Sequence, residues 1–197
     1  MSGENYKLHH WFGTPPGRYL LAWEQERYDE LVADIFGFHA VQLGLCSVDL
    51  LRANRMSCRL HCASTLTEVG SEIYAVADEL PFATQSVDLV VLPHVLEFAA
   101  HPHQILREVE RILVPEGHVL IAGFNPVSLF GLKRLVAGKC GVYPWRGQYL
   151  SMRRLKDWLA LLSSNSNLQS VLWGAGYAPY FDVPVPGDYD GDGKTDI

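Results

Sequence analysis

What this chain has little of narrows it first. Positive charge is not in excess: 16 Lys and Arg stand against 22 Asp and Glu, a formal net charge of −6. No basic field therefore speaks for nucleic acid as a partner. Cysteine is scarce, four in 197 residues, at Cys46, Cys58, Cys62 and Cys140. That number and spacing do not suggest a disulfide framework in a chain of this length, and they favour a reducing compartment. No apolar run approaches the roughly 18 residues that cross a bilayer. The opening MSGENYKLHHWFGTPPG has no apolar signal-peptide core. Together these absences predict a cytoplasmic chain with no membrane partner. What is present is ordinary for a globular protein, 48% hydrophobic and 19% charged residues, and the length suits one full α/β domain.

The body alternates helix and strand. Thr14 is a candidate N-cap, with Pro15 and Pro16 suited to a first turn. A helix through RYLLAWEQERYDELVADIF is expected to bury Leu20, Leu21, Tyr28, Leu31, Val32 and Ile35 and to stop at Gly37. FHAVQLG, SCRLHCA and SEIYAVA read as strands, and SVDLLRAN as a short helix or loop. SVDLVVLPHV is a continuous β-branched run of the kind buried on both faces. PHQILREVERILVPEG is an amphipathic helix with Ile105, Leu106, Val109, Ile112 and Leu113 on one side, ended by Pro115 and Gly117. HVLIAGFN is the next buried strand. The pattern predicts a mostly parallel sheet with helices on both faces. Ligands in such sheets sit outside the carboxyl ends of the strands, where strand order reverses.

The segment ADELPFATQSVDLVVLPHVLEFAAHPHQILREVERILVPEGHVLIAGFNP holds, in order, an acidic residue, a Leu-Pro-Phe turn, a Ser-Val-Asp strand start and a Leu-x-Pro-x-Gly helix exit. It resembles the class I S-adenosyl-L-methionine-dependent methyltransferases, in particular the methyltransferase type 11 family. WFGTPPGRYLLAWEQ, FGFHAVQLG and FNPVSLFGLKRL narrow the resemblance to a bacterial subgroup, over about residues 8–162. The resemblance implies a Rossmann-like fold and an enzyme that moves a methyl group to a small-molecule or macromolecular acceptor. It implies a cofactor site at Gly44, Asp78, Leu80, Pro93 and His94. Asp78 would read the adenine amino group, with Leu80 and Phe82 beside the ring. Pro93 and His94 would line the pocket of the reactive methyl, with Glu97 near its rim. His94 and Glu97 are the candidates for positioning or deprotonating a substrate.

Two features depart from the family. The turn after the first strand, QLGLCS, carries Gly44 alone where the family is glycine-rich. The second strand ends HCAST, without an acid for the ribose hydroxyls; Glu68 follows a few residues on. Each site residue also has a structural reading. Gly44 can simply end a strand, Asp78 can cap a turn before Pro81, and His94 with Glu97, three apart, can share a helix face. CRLHC invites zinc, but Cys58 and Cys62 on one strand would lie about 13 Å apart, too far for one ion without a turn. HPH at 101–103 reads as a solvated turn opening a helix. The long segment FNPVSLFGLKRLVAGKCGVYPWRGQYLS, locally basic through Lys133, Arg134, Lys139 and Arg146, is the expected acceptor site or else a pair of surface helices.

From residue 163 the composition changes. SSNSN reads as a linker, and VPVPGDYDGDGKTDI resembles an FG-GAP/VCBS calcium-loop repeat. That resemblance implies Asp188, Asp190, Asp192 and Asp196 as side-chain ligands and the Lys194 carbonyl as another, a weak Ca2+ site at best. Such loops are commoner outside the cytosol. The reading is thus of two segments: a methyltransferase-like domain at 1–162, its sheet incomplete at the C-terminal strands, and a linker with a short β/loop tail at 163–197. The sheet edge beyond the strand at 118–125 is expected to be covered only imperfectly by the tail, with NLQSVLW and YFDVPVP the strands available to it, which would favour self-association. The alternatives are a catalytically inactive methyltransferase-like fold, a chimeric chain with a vestigial calcium loop, or a calcium-dependent binding module.

Overall fold

The computed structural model describes residues 4–64, 70–124, 147, 149–163 and 169–175. Its helices are α1 (Glu4–Phe12), α2 (Pro15–Ala33), α3 (Pro102–Ile112) and α4 (Met152–Ser163). Its strands are β1 (His39–Leu43), β2 (Cys58–Ala63), β3 (Ile73–Tyr74), β4 (Val87–Pro93), β5 (Leu113–Phe124) and β6 (Gln169–Ala175). The strands form one sheet in the order β3-β2-β1-β4-β5-β6, with every neighbouring pair parallel. Strand order reverses between β1 and β4, so the crevice at their carboxyl ends is the ligand position that this topology offers.

The β4 run is buried as its composition demands. Leu89 and Val91 enter the cluster beneath α2, with Tyr28 and Val32. Val90 and Leu92 enter the opposite cluster beneath α3 and α4, with Ile105, Val109, Leu155 and Leu159. A strand feeding both faces cannot alternate apolar with polar, which is why the sequence reads as continuously apolar.

Local chemistry fixes the element ends. Thr14 caps α2, its Oγ1 accepting from the Gly17 amide at 3.3 Å. Gly17 is required by close approach, because a Cβ there would meet the Trp11 carbonyl oxygen at 2.2 Å. The expected helix end at Gly37 is corrected: α2 stops at Ala33. Buried Asn54 takes over there, its Nδ2 donating to the Val32 and Ile35 carbonyls at 2.6 and 3.0 Å. Gly37 instead makes room for Asp88, whose Oδ2 accepts from the Phe38 and His39 amides at 2.9 Å each. The aspartate of the Ser-Val-Asp strand start therefore anchors the first residues of β1.

Other expectations shift as well. SVDLLRAN takes the loop alternative, as a run of turns, whereas the SEIYAVA strand shrinks to two residues. α3 ends at Ile112, before Pro115, because proline disfavours helix in the residue preceding it and clashes one turn back. β5 starts at once and absorbs the Pro-Glu-Gly step as a register shift against β4. His103 is not only solvated; its ring lies 3.8 Å from that of Trp158 on α4. The edge at 118–125, expected to be covered only imperfectly by NLQSVLW and YFDVPVP, is paired along its length by β6, which falls largely within the first of these, from His118 to Phe124. Residues 169–175, read as tail, thus belong to the sheet. Glu68, Cys140, the basic residues Lys133, Arg134, Lys139 and Arg146, and the candidate calcium ligands Asp188 to Asp196 lie outside the described residues.

Asn54 gives a test of this scaffold. It spends its amide on two carbonyls and its Oδ1 on the Met56 amide at 2.9 Å, all within buried surroundings. Asn54→Ala should lower unfolding free energy by about 1–3 kcal/mol, the cost of leaving buried backbone groups unmatched. Urea denaturation reads this directly, and an unchanged midpoint would show that these groups find other partners.

Candidate functional site

The turn leaving β1 is built by a residue that the motif comparison passes over. Gln42 is fully buried. Its Nε2 donates to the carbonyls of Gly44, Leu45 and Val48 at 3.2, 3.1 and 2.9 Å, and its Oε1 accepts from the Leu50 amide at 2.9 Å. The side chain does the work of a missing backbone ladder and holds the turn in a tight arc. Gly44 has φ +77 and Leu45 φ +49, so two successive residues take the left-handed conformation that only glycine adopts freely. A Cβ on Gly44 would lie 3.2 Å from Val95 Cγ2. The turn after β1 and the loop after β4 therefore meet at the switch point.

On the β4 side lies a buried charged group. His94, at φ +54, has a side chain with no exposed surface. Its Nε2 donates to Glu24 Oε1 on α2 at 2.9 Å and its Nδ1 donates to Glu97 Oε2 at 3.0 Å. Glu97 Oε1 accepts from the Phe124 amide at the end of β5. Burial alone would push the imidazole down, but the charges of Glu24 and Glu97 and the hydrogen bonds to both carry its pKa up to about 10. His94 is thus an imidazolium clamped between two carboxylates. Beside it, burial first and then the two carboxylates hold the Tyr28 hydroxyl above its ordinary range.

Aromatic side chains roof this group. The Phe124 ring lies 4.4 Å from His94, the Phe12 ring 5.6 Å from it, and Tyr149 and Trp11 flank Phe124 at 5.5 and 5.8 Å. This corrects the expected placing of Glu97 at a rim: it is 3% exposed. The cause is α1, unassigned in the sequence reading, whose Leu8, Trp11 and Phe12 pack with Leu20, Leu45, Phe124 and Tyr149. His94 likewise sits beneath this roof rather than on an open pocket wall.

The remaining candidates lie along the same end of the sheet. Pro93 ends β4. Asp78 is half-buried after β3, near the bridge from Val76 to Glu79. Leu80 is buried in the α3-side cluster. Its amide donates to Glu108 Oε1 at 2.9 Å, and its carbonyl accepts from Arg111 Nη2 at 3.1 Å. Hydrogen bonding from Arg111 first of all holds the Glu108 carboxyl below its ordinary range. The Leu-Pro-Phe turn is therefore set by an ion pair on α3. At the end of β2, His61 lies between Asp49 and Glu72, 3.2 Å from each. Among the described residues, no group of three His, Cys, Asp or Glu could hold a metal ion, and no helix is long and apolar enough to cross a membrane. Sequence reasoning missed Glu24 and Gln42. Glu24 had a signal, because it falls in the i+4 row Leu20, Glu24, Tyr28, Val32, all buried.

Residues 40–121 match the family model described as a methyltransferase domain. That span carries Gly44, Asp78, Leu80, Pro93, His94 and Glu97, whereas Glu24 precedes it. The chain is 31% identical to the uncharacterized protein YafS of Escherichia coli (strain K12) over 155 residues, 78% of this chain and 63% of that protein. It thus spans under two thirds of this curated relative. Among solved structures, it is similar to a SAM-dependent methyltransferase of Archaeoglobus fulgidus, with TM-score 0.58 and 15% identity, covering 74% of this chain and 68% of that one. It is also similar to one of Thermotoga maritima, with TM-score 0.56 and 16% identity, covering 74% and 78%. The fold is the Rossmann-like fold of these methyltransferases.

The raised pKa of His94 makes a prediction about stability. A group whose folded pKa lies near 10 against an ordinary 6.5 stabilises the fold fully below the lower value and loses that contribution as pH rises to the upper one. Unfolding free energy should therefore fall progressively from about pH 6.5 to about pH 10. His94→Gln should be less stable at the lower pH and show a flatter profile. Equal slopes for the two proteins would dissociate the histidine from this dependence.

Proposed function

With a methyltransferase fold and a methyltransferase-domain segment as premises, we propose that this chain binds S-adenosyl-L-methionine at the carboxyl ends of β1 and β4 and transfers its methyl group to an acceptor. The observation that carries the reading is the switch-point juxtaposition. Gly44 at φ +77 carries no Cβ, and one built there would lie 3.2 Å from Val95 Cγ2 on the β4 loop, so a side chain would crowd the place where the two loops meet. Residues of this kind fit a cofactor whose amino-acid portion needs close backbone approach.

In this reading Gly44 and the turn held by Gln42 receive the amino-acid end of the cofactor. Asp78 accepts a hydrogen bond from the adenine amino group, and Leu80, fixed by Glu108, shapes the wall beside the ring. Pro93 and the backbone of His94 border the reacting end. The cofactor, when bound, supplies an electrophilic methyl on a sulfonium. The protein's part is alignment and exclusion of water. Trp11, Phe12, Phe124 and Tyr149 supply the exclusion. His94 is spent on two carboxylates and already protonated, so it holds the strand ends in place rather than taking a proton from the acceptor. We place the acceptor, small molecule or macromolecule, against the segment after β5, because its described ends, Phe124 and Tyr149, close on the same group.

Calorimetry tests the reading before any acceptor is known. S-adenosylmethionine should bind the full chain. Asp78→Ala should weaken binding by about 1–3 kcal/mol, roughly 5- to 150-fold, as for one lost partner of a hydrogen bond in a closed site. No heat of binding in the unaltered chain would overturn the function. Unchanged affinity in the variant would remove Asp78 from the site.

A further inference from the structure

The charge around His94 does not balance. One imidazolium faces two carboxylates, an excess of one negative charge among residues that are 1% exposed at Glu24, 1% at His94 and 3% at Glu97. The oxygens are also unequally used. Glu97 Oε2 accepts from His94 and Oε1 from the Phe124 amide. Glu24 Oε1 accepts from His94 Nε2. Among the described residues, Glu24 Oε2 is buried and has no hydrogen-bond partner. A buried, unmatched carboxylate oxygen is costly, and a buried net charge acts strongly on any other charge that enters the same low-dielectric region. The region in question is the switch point: His94 adjoins Val95, whose side chain reaches the Gly44 turn.

We propose that Glu24 makes this site selective for ligand charge, favouring the cationic sulfonium of S-adenosylmethionine over its neutral thioether product. The proposal rests on the reading of S-adenosylmethionine as the ligand. The two molecules differ by one methyl group and one positive charge. When the methyl leaves, the electrons of its carbon–sulfur bond remain on sulfur and the charge there is cancelled. A site one negative charge in excess holds the first form and lets go of the second. The aromatic rings of Phe12, Phe124 and Tyr149 add to this, since their faces favour cations. Glu24 needs no contact with the sulfur, because the field of an enclosed charge reaches across the gap. It lies on α2, outside the matched segment 40–121.

The test is calorimetric titration of the full chain with three probes. These are S-adenosylmethionine, S-adenosylhomocysteine, and sinefungin, in which a protonated amine replaces the sulfonium. Both cationic probes should bind about tenfold tighter than S-adenosylhomocysteine, the scale of one charge-assisted interaction. In Glu24→Gln, which keeps shape and removes charge, the three affinities should converge to within roughly threefold. A variant that retains the tenfold preference would overturn the proposal, as would unaltered protein that binds S-adenosylhomocysteine as tightly as both cations. Should thermal melting show that Glu24→Gln does not fold, the unaltered chain still decides: preference for both cations supports the proposal, and preference for S-adenosylmethionine alone overturns it. If none of the three probes binds the unaltered chain, the cofactor reading itself has failed and takes the proposal with it.

Discussion

An imidazolium between two carboxylates ties together three parts of this chain that share no local sequence. Glu24 stands on α2, His94 follows β4, and Glu97 takes the amide at the end of β5. Remove the histidine and two carboxylates face each other without water; remove either carboxylate and the cation loses half its support. Buried ion groups of this sort contribute little over an apolar core of equal volume, yet breaking one by deleting a single member is costly. Their value lies in geometry. Here the group fixes how the first long helix meets the carboxyl ends of the central strands, the position proposed for the chemistry.

The supporting interactions follow the same logic at smaller scale. Gln42 holds the β1 turn, Asn54 closes α2, Asp88 anchors the start of β1, and Glu108 with Arg111 sets the Leu-Pro-Phe turn. In each case a polar side chain bonds to backbone groups on a neighbouring element. The apolar faces decide which layers stack, whereas these polar atoms decide how the connecting turns are placed. Since the turns carry Gly44, Asp78 and Leu80, the placement of the proposed site depends on these polar residues.

Much of the layer structure was legible in the sequence because periodicity reports burial. The β4 run and the stripe of α3 could be read residue by residue, and the parallel sheet followed from alternation. Legibility failed where burial and polarity part company. Glu24 interrupts an apolar row, so a reading that lists only apolar residues steps over it and keeps Leu20 and Tyr28 on either side. α1 was invisible for a related reason: Leu8, Trp11 and Phe12 are few and follow a polar start, and their partners Leu45, Phe124 and Tyr149 come from distant parts of the chain. The spacing of His94 and Glu97 suggests that they meet, and they bond to each other, but their burial was not legible, because nothing local to them reveals the helix above. NLQSVLW is legible as strand material for the β5 edge, but its full seven-residue register shows only when β5 stands beside it.

The two loops at the switch point share one further property. Leu45 has φ +49 and His94 φ +54, backbone values that cost a residue with a Cβ about 1–2 kcal/mol each. Neither position has been relaxed to glycine, although Gly44 shows that glycine is tolerated next door. The sheet and the ion group beneath hold both loops in a spring-loaded state. Such a site is shaped before a ligand arrives and spends little ordering itself on binding. The corollary is that glycine at either position would relieve the backbone only by giving up a buried side chain, the packing of Leu45 or the ion group of His94. At these two residues, then, the fold and the shape of the loops make the same demand: the side chain that anchors the core is also the one that keeps the backbone bent.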